Sequence, residues 1–338
     1  MKPTRKRVSL TEMIGDAETA LHAALVQPIT WIATARTRLQ HLPKTNFELG
    51  CRFAEQGALF DASLRFRITL LLAPDYPHAW YHLGCCYYRL GKTEKAKHAL
   101  QKALLQGAEG THASYMLATL DASALPAGQR PSRMPPDLVI GFFTSMAAGY
   151  DIEEAKRHYH GGKAMHELLA PLLTTPTPSV LDLGCGTGIA ARPWRAAARE
   201  ITGIDLTPAM VSLASKATHA ERPLFDRLLT GDLVHLPASI PSASIDLALM
   251  VNVSPYLGAL EDVFAHIAQR LAPGGLLALT LEPFTGPGYG LVAATSRFGH
   301  STVYAKDAAA QAGLELRTES TVTLYPHTPI TALVFGKA

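Results

Sequence analysis

Long apolar runs are missing from this chain of 338 residues, and no stretch approaches the roughly 18 that would cross a bilayer. Cysteine is scarce, with four in all, which excludes a disulfide framework and fits a reduced, cytoplasmic protein. The basic start, Met1-Lys2-Pro3-Thr4-Arg5-Lys6-Arg7, is not followed by a continuous apolar segment, so no secretory signal is expected. Charge of one sign is also lacking. Charged residues make up 17% of the chain and the formal net charge is +3, which describes an ordinary globular composition. The balance is uneven along the chain: residues 1–110 hold 15 Lys+Arg against 9 Asp+Glu, and residues 111–338 hold 16 against 19. A mildly basic front half suits either a solvated helical surface or an acidic partner. Nucleic acid is not the expected partner, and neither is a membrane.

What the chain does contain, first, is an internal repeat. Pro43–Tyr76 and Pro77–Gly110 are two blocks of 34 residues. Gly50 and Gly84, Gly57 and Gly91, Ala62 and Ala96, and Phe66 and Leu100 occupy equivalent positions in them, and Phe53 matches Tyr87. Small residues let two helices approach, large ones fill the space between, and Gly57 and Gly91 suit the turn. The pattern resembles the tetratricopeptide repeat (TPR), a helix–turn–helix unit. Asn46 and Thr69 depart from it, standing where Trp and Ala are usual. Three units are usually needed for a stable stack. Helices before Pro43, one opened by the capping-box sequence Ser9-Leu10-Thr11-Glu12 and one at Thr30–Gln40, are expected to complete it, with a helix at Thr111–Ala122 capping the other end. The resemblance implies a surface for a protein partner or for self-association. The alternative is that these helices only pack within the protein.

Residues 123–137 hold Pro126, Gly128, Pro131, Pro135 and Pro136 and read as a linker. The expected organisation is therefore N-terminal helices over 1–42, repeats over 43–122, a linker over 123–137 and an α/β domain over 138–338. In the last, strands are expected at Ser179–Leu183, Glu200–Asp205, Arg227–Thr230, Ile245–Val251 and Gly275–Leu281, alternating with helices that include Ile189–Ala198. Two final strands, Leu314–Val322 and Ile330–Phe335, are joined too briefly for a parallel crossover and must be antiparallel.

The first strand runs into the most informative stretch, Val180-Leu181-Asp182-Leu183-Gly184-Cys185-Gly186-Thr187-Gly188. Glycines at the carboxyl end of a parallel strand allow close approach of a nucleotide-like ligand. A dinucleotide reading, G-x-G-x-x-G, is weakened by Ile189, which stands where that pattern needs glycine or alanine. Asp205 ends the second strand, where a carboxylate suits both hydroxyls of a ribose. Gly231-Asp232-Leu233 follows the third strand and Asn252 the fourth.

In order and spacing these motifs resemble class I S-adenosylmethionine (SAM) methyltransferases, in particular those joined to TPRs. The resemblance implies a Rossmann-like, mostly parallel seven-stranded sheet with its last strand antiparallel, and SAM as cofactor. The implied cofactor-binding residues are Asp182, Gly184, Cys185, Gly186 and Gly188 in the loop region. Asp205 would hold the ribose, with Leu206 and Met210 near the adenine. Asp232, with Leu233, would meet the adenine amino group, Asn252 would lie beside the methyl, and Tyr150 would face the methionine end. Phe142, Phe143, Tyr150 and Tyr159 precede the first strand where such enzymes carry a lid. Tyr256 and His300 are the candidate catalytic residues, with Glu282 also placed to face the acceptor. No metal is implied. The expected function is methyl transfer to an acceptor of unidentified class. The alternative is a TPR scaffold whose SAM-binding domain senses the ligand without catalysis.

Overall fold

The computed structural model describes residues 41–107, 110–121, 125, 130–292 and 295–338. The expected capping box at Ser9 and helix at Thr30–Gln40 lie outside the described residues. The chain divides into two compact units, Met1–Ala113 and Ser114–Ala338.

The first unit is helical: α1 (residues 41–55), α2 (Leu59–Leu72), α3 (Ala79–Arg89) and α4 (Thr93–Leu105). Each pair turns at a glycine with positive φ, Gly57 at 79° and Gly91 at 68°, a conformation that carries no steric penalty without a Cβ. Helix contact depends on two other glycines. A Cβ on Gly50 would lie 2.7 Å from the Phe66 ring, and one on Gly84 would lie 2.8 Å from Leu100. Ala62 and Ala96 are fully buried beside them. The two departures from the repeat pattern are buried but satisfied. Asn46 donates to the Leu42 carbonyl and accepts from Arg65, while the Thr69 hydroxyl bonds the Arg65 carbonyl. Helix α5 (Gly110–Leu120) straddles the division, and from Ser114 onward it belongs to the second unit. There Tyr115 donates to the Ser296 carbonyl at 2.6 Å.

In the second unit the last described residues of the expected linker, 130–137, already make defined contacts. Ser132 accepts from the Gly258 and Ala259 amides, Arg133 forms an antiparallel bridge with Leu257, and Pro136 opens helix α6 (Pro136–Met146). Proline is tolerated there because the first helical N–H has no partner to lose. Helices α7 (Tyr150–Lys156) and α8 (Gly161–Leu169) follow.

The main sheet contains β1 (Ser179–Leu183), β2 (Glu200–Asp205), β5 (Arg227–Thr230), β6 (Ile245–Met250), β7 (Leu271–Leu281), β10 (Leu314–Tyr325) and β11 (Thr328–Lys337). Their order is β10-β11-β7-β6-β1-β2-β5, and β11 is antiparallel to both neighbours. The Rossmann-like arrangement expected from the sequence is present. Two short hairpins were not foreseen: β3 (Thr218–His219) with β4 (Arg222–Pro223), and β8 (Tyr289–Val292) with β9 (Arg297–His300). The strand period of two separates the faces. Leu181 and Leu183 pack on one side with Val263, Phe264 and Ile267 of α10 (Glu261–Arg270) and Ala305 of α11 (Thr302–Gln311). Val180 packs on the other side with Met165 and Leu169 of α8. Asp182 shares the face of Val180 and is 1% exposed.

One expected helix does not form. After the glycine loop, residues 189–198 make turns and a single 3-10 turn at Arg192–Trp194, in place of the helix Ile189–Ala198. Pro193 accounts for this: it offers no N–H to Ile189 and disfavours α conformation at Arg192. Short α9 (Pro208–Ala214), by contrast, has its proline at the first helical position and is helical.

Candidate functional site

At the carboxyl ends of β1, β2 and β6 and beyond β5, the second unit opens into a cleft of about 1240 Å³ including its mouth. The parallel register places its floor. Leu183 pairs with Ile204, so β1 and β2 end level, and the Gly184 and Cys185 amides both donate to the Ile204 carbonyl at 2.8 and 3.0 Å. The loop then meets the next side chain along. Asp205 Oδ2 accepts from the Gly186 amide at 2.9 Å, and its Oδ1 accepts from the Thr207 amide at 2.8 Å. Burial nevertheless raises the Asp205 carboxyl above its ordinary value, against the lowering by those amides. Each oxygen retains a second acceptor site. Thr187 is tied to α7 by a 2.6 Å hydrogen bond with Asp151.

Of the expected cofactor residues, Gly184, Cys185, Gly186, Asp205, Leu206, Met210, Asp232, Leu233, Asn252 and Tyr150 all line this cleft. Two do not. Gly188 (φ 95°) is turned into the core, where a Cβ would collide with the side chains of Leu224 and Phe225. Asp182 sits behind the loop. Its Oδ2 is buried without a hydrogen-bond partner, and burial, reinforced by the charge of Asp205, pushes its carboxyl up to about 7. Gly186 faces open space, with no atom within 4 Å of where its Cβ would be.

Asp232 caps a 3-10 turn by accepting from the Val234 amide, and its Oδ2 is held by Arg133 at 2.5 Å. Asn252 takes a positive φ of 59°, which asparagine tolerates better than most residues. Its amide donates to the Thr280 hydroxyl. The four aromatics before β1, Phe142, Phe143, Tyr150 and Tyr159, form one wall. Phe143 packs edge-on to Tyr256, ring centres 5.2 Å apart.

The two candidate catalytic residues separate. Tyr256 lines the cleft. His300 does not: it is 1% exposed, its Nε2 lies 2.9 Å from the Gly258 carbonyl, and burial lowers its pKa to about 4. A carbonyl only accepts, so Nε2 carries the proton, and the ring is a neutral packing group flanked by Tyr289 and Tyr304. Its adjacency in sequence to a cleft-lining segment does not bring it into the cleft. Glu282 is also absent from the lining.

Several lining groups escaped sequence reasoning: Arg133, Glu154, Arg157, Arg297 and Tyr325. Glu154 is buried and accepts from both Arg157 (3.0 Å) and the Tyr325 hydroxyl (2.8 Å), joining α7 to the β10–β11 hairpin. The guanidinium of Arg157 also lies over the Tyr325 ring. These residues come from four distant segments with no spacing motif to announce them.

Residues 181–279 match the model of a methyltransferase domain, and residues 77–106 match a tetratricopeptide repeat. The chain carries both domains. Among proteins similar to it is a malonyl-[acyl-carrier protein] O-methyltransferase of Serratia marcescens, 29% identical over 41% of this chain and 50% of that protein. Another is a demethylmenaquinone methyltransferase of Tropheryma whipplei, 36% identical over 31% of this chain and 42% of that protein. The chain spans about half or less of the length of these relatives. Among solved structures, the magnesium protoporphyrin IX methyltransferase of Synechocystis with bound SAH aligns over 60% of this chain and all of that one, at 17% identity and a TM-score of 0.47. The cleft has room for a nucleoside: Gly186 leaves space beside a carboxylate whose oxygens keep further acceptor sites.

Proposed function

We propose that the chain transfers a methyl group from SAM to an acceptor held in this cleft. The observation that carries the reading is the Gly186–Asp205 pairing at the mouth of the sheet, without a regular helix behind the loop. Dinucleotide sites set a pyrophosphate on a helix N-terminus after the glycines. Here Pro193 removes that helix, which favours a nucleoside ligand without phosphates.

Asp205 would accept from the ribose hydroxyls through its remaining acceptor sites. Asp232 would accept from the adenine amino group while Arg133 holds it in place. Leu206 and Met210 would flank the base, and Tyr150 would border the methionine end. Bound SAM supplies a methyl on a sulfonium sulfur, and the chain's task is to orient the acceptor and exclude water. The aromatic wall of Phe142, Phe143, Tyr150 and Tyr159 serves that exclusion.

The repeat unit is proposed as a docking surface for a protein partner or a protein-tethered acceptor. Leu64, Leu71, Trp80 and Tyr87 line a groove on it together with Arg67, Glu94 and Lys95, an amphipathic lining that suits a peptide.

Calorimetry with SAM and with NAD tests the reading. Saturable SAM binding with no NAD binding is expected, and the reverse would overturn it. Asp205→Ala should weaken SAM binding about 10–100-fold, the scale of lost hydrogen bonds to a charged group. An unchanged affinity would remove the ribose role. SAM binding with no methyl incorporation from labelled SAM into extract would favour the sensing scaffold instead.

A further inference from the structure

The charged groups lining the cleft are three arginines, Arg133, Arg157 and Arg297, and three carboxylates, Glu154, Asp205 and Asp232. Two pairs are closed: Arg133 with Asp232 and Arg157 with Glu154. Asp205 accepts from the amides of the glycine loop and of Thr207, and its remaining acceptor sites are assigned above to the ribose. That leaves Arg297. It makes no ion pair among the described residues. Its guanidinium lies over the ring of Tyr256, 5.4 Å from the centre, at the first residue of β9. A planar cation laid on an aromatic face keeps its N–H edge free for a planar, two-oxygen anion.

The same cleft is poor in bases. Glu154 is occupied by Arg157 and Tyr325, and Asp232 by Arg133 and the Val234 amide. Burial raises the phenols of Tyr150, Tyr159, Tyr256 and Tyr325, and His300 is absent from the lining. A hydroxyl or carbon acid would need a proton removed on the way to the transition state. An amine would arrive beside an uncompensated cation. A carboxylate needs no base and is attracted by that cation.

Building on the methyl-transfer reading, we propose that the acceptor is a carboxylate with an apolar body, held by Arg297 on Tyr256 and methylated on its own oxygen. One carboxylate oxygen forms the new bond to the methyl carbon. The carbon–sulfur bond breaks, its electron pair stays on sulfur, and no proton moves. The negative charge of the carboxylate and the positive charge of the sulfonium are lost together. Phe142, Phe143 and Met134 offer the apolar surface for the rest of the acceptor. Arg297 is thus a specificity residue of the acceptor side, and Tyr256 its platform rather than a base.

The test incubates the full chain with SAM labelled in the methyl group and cell extract, then treats the products with mild alkali. A carboxyl methyl ester releases its label as volatile methanol, whereas methyl on nitrogen, carbon or an ether oxygen stays put. Volatile label is expected, falling about 10–100-fold in Arg297→Ala, the scale of a lost charged hydrogen bond. Arg297→Lys should recover part of it. Calorimetry on both variants should give the wild-type SAM affinity within about threefold, which separates acceptor recognition from misfolding. Alkali-stable label would overturn the carboxylate assignment while methyl transfer stood. Full transfer by Arg297→Ala would overturn the role of Arg297. Absence of SAM binding, or binding without any incorporation, would overturn the methyl-transfer reading on which the proposal rests.

Discussion

Glycine is used in opposite ways by the two units of this chain. In the repeats, Gly50 and Gly84 are glycine because a neighbour is too near: Phe66 and Leu100 occupy the volume a Cβ would need. In the sheet unit, Gly186 is glycine although no atom of the protein is near. Open space by itself marks only a turn, as at Gly57 and Gly91, and Gly186 too has a positive φ of 53°. What sets Gly186 apart is that it lines the cleft beside Asp205, whereas a residue kept small against a neighbour serves packing. The sequence motif Gly184-Cys185-Gly186-Thr187-Gly188 mixes both kinds, since Gly188 abuts Leu224 and Phe225 and Gly184 abuts Val253.

The largest effect should come from Gly188→Ala. It combines a strained positive φ with a clash against two buried side chains, together about 2–5 kcal/mol of lost stability. Urea unfolding followed by a probe of the sheet unit would show it. A loss below 1 kcal/mol, by the same reasoning, would mean that Gly188 is not a packing glycine. Gly186→Ala should instead lower stability by only about 1 kcal/mol, from its φ of 53°, while weakening SAM binding. If both variants lost stability alike and bound SAM alike, the distinction would collapse.

Gly84→Val is the counterpart in the repeats. Overpacking against Leu100 should destabilise the helical unit by about 1–3 kcal/mol and leave SAM affinity unchanged. A helical signal that melts early while calorimetry still gives the wild-type affinity is the expected pair of results.

The smallest effect concerns pH. Asp182 binds its proton more tightly folded than unfolded, so stability falls as pH rises from the ordinary carboxylate range through about 7. His300 works the other way: its folded pKa of about 4 lies below the unfolded value, so stability is lost as pH falls between the two. Asp182→Asn removes the first slope and leaves the second. Stability of the variant relative to wild type should therefore grow from pH 4 to pH 7 in denaturant titrations, and parallel curves would contradict the protonation assigned to Asp182.

The sequence was most legible where chemistry and local geometry coincide. The strand-ending Asp205, the loop glycines and the antiparallel finish could be placed because each is local to a strand end. The cleft wall was legible in part, since Phe142, Phe143, Tyr150 and Tyr159 precede the first strand in one run. Ile189–Ala198 carries its own breaker in plain view, since Pro193 has no N–H to give Ile189 and the expected helix yields to turns. His300 was not legible because Arg297 and His300 stand three apart on one strand and so point to opposite faces, and sequence alone does not say which face meets the cleft. Arg297, Arg157 and Glu154 were not legible at all, because they meet only through the fold.

The most direct test of the account is a crystal structure of the full chain with S-adenosylhomocysteine. It should show the nucleoside over Gly186 with both ribose hydroxyls on Asp205 and the adenine amino group on Asp232. A ligand bound elsewhere, or one that leaves Asp205 untouched, would contradict it.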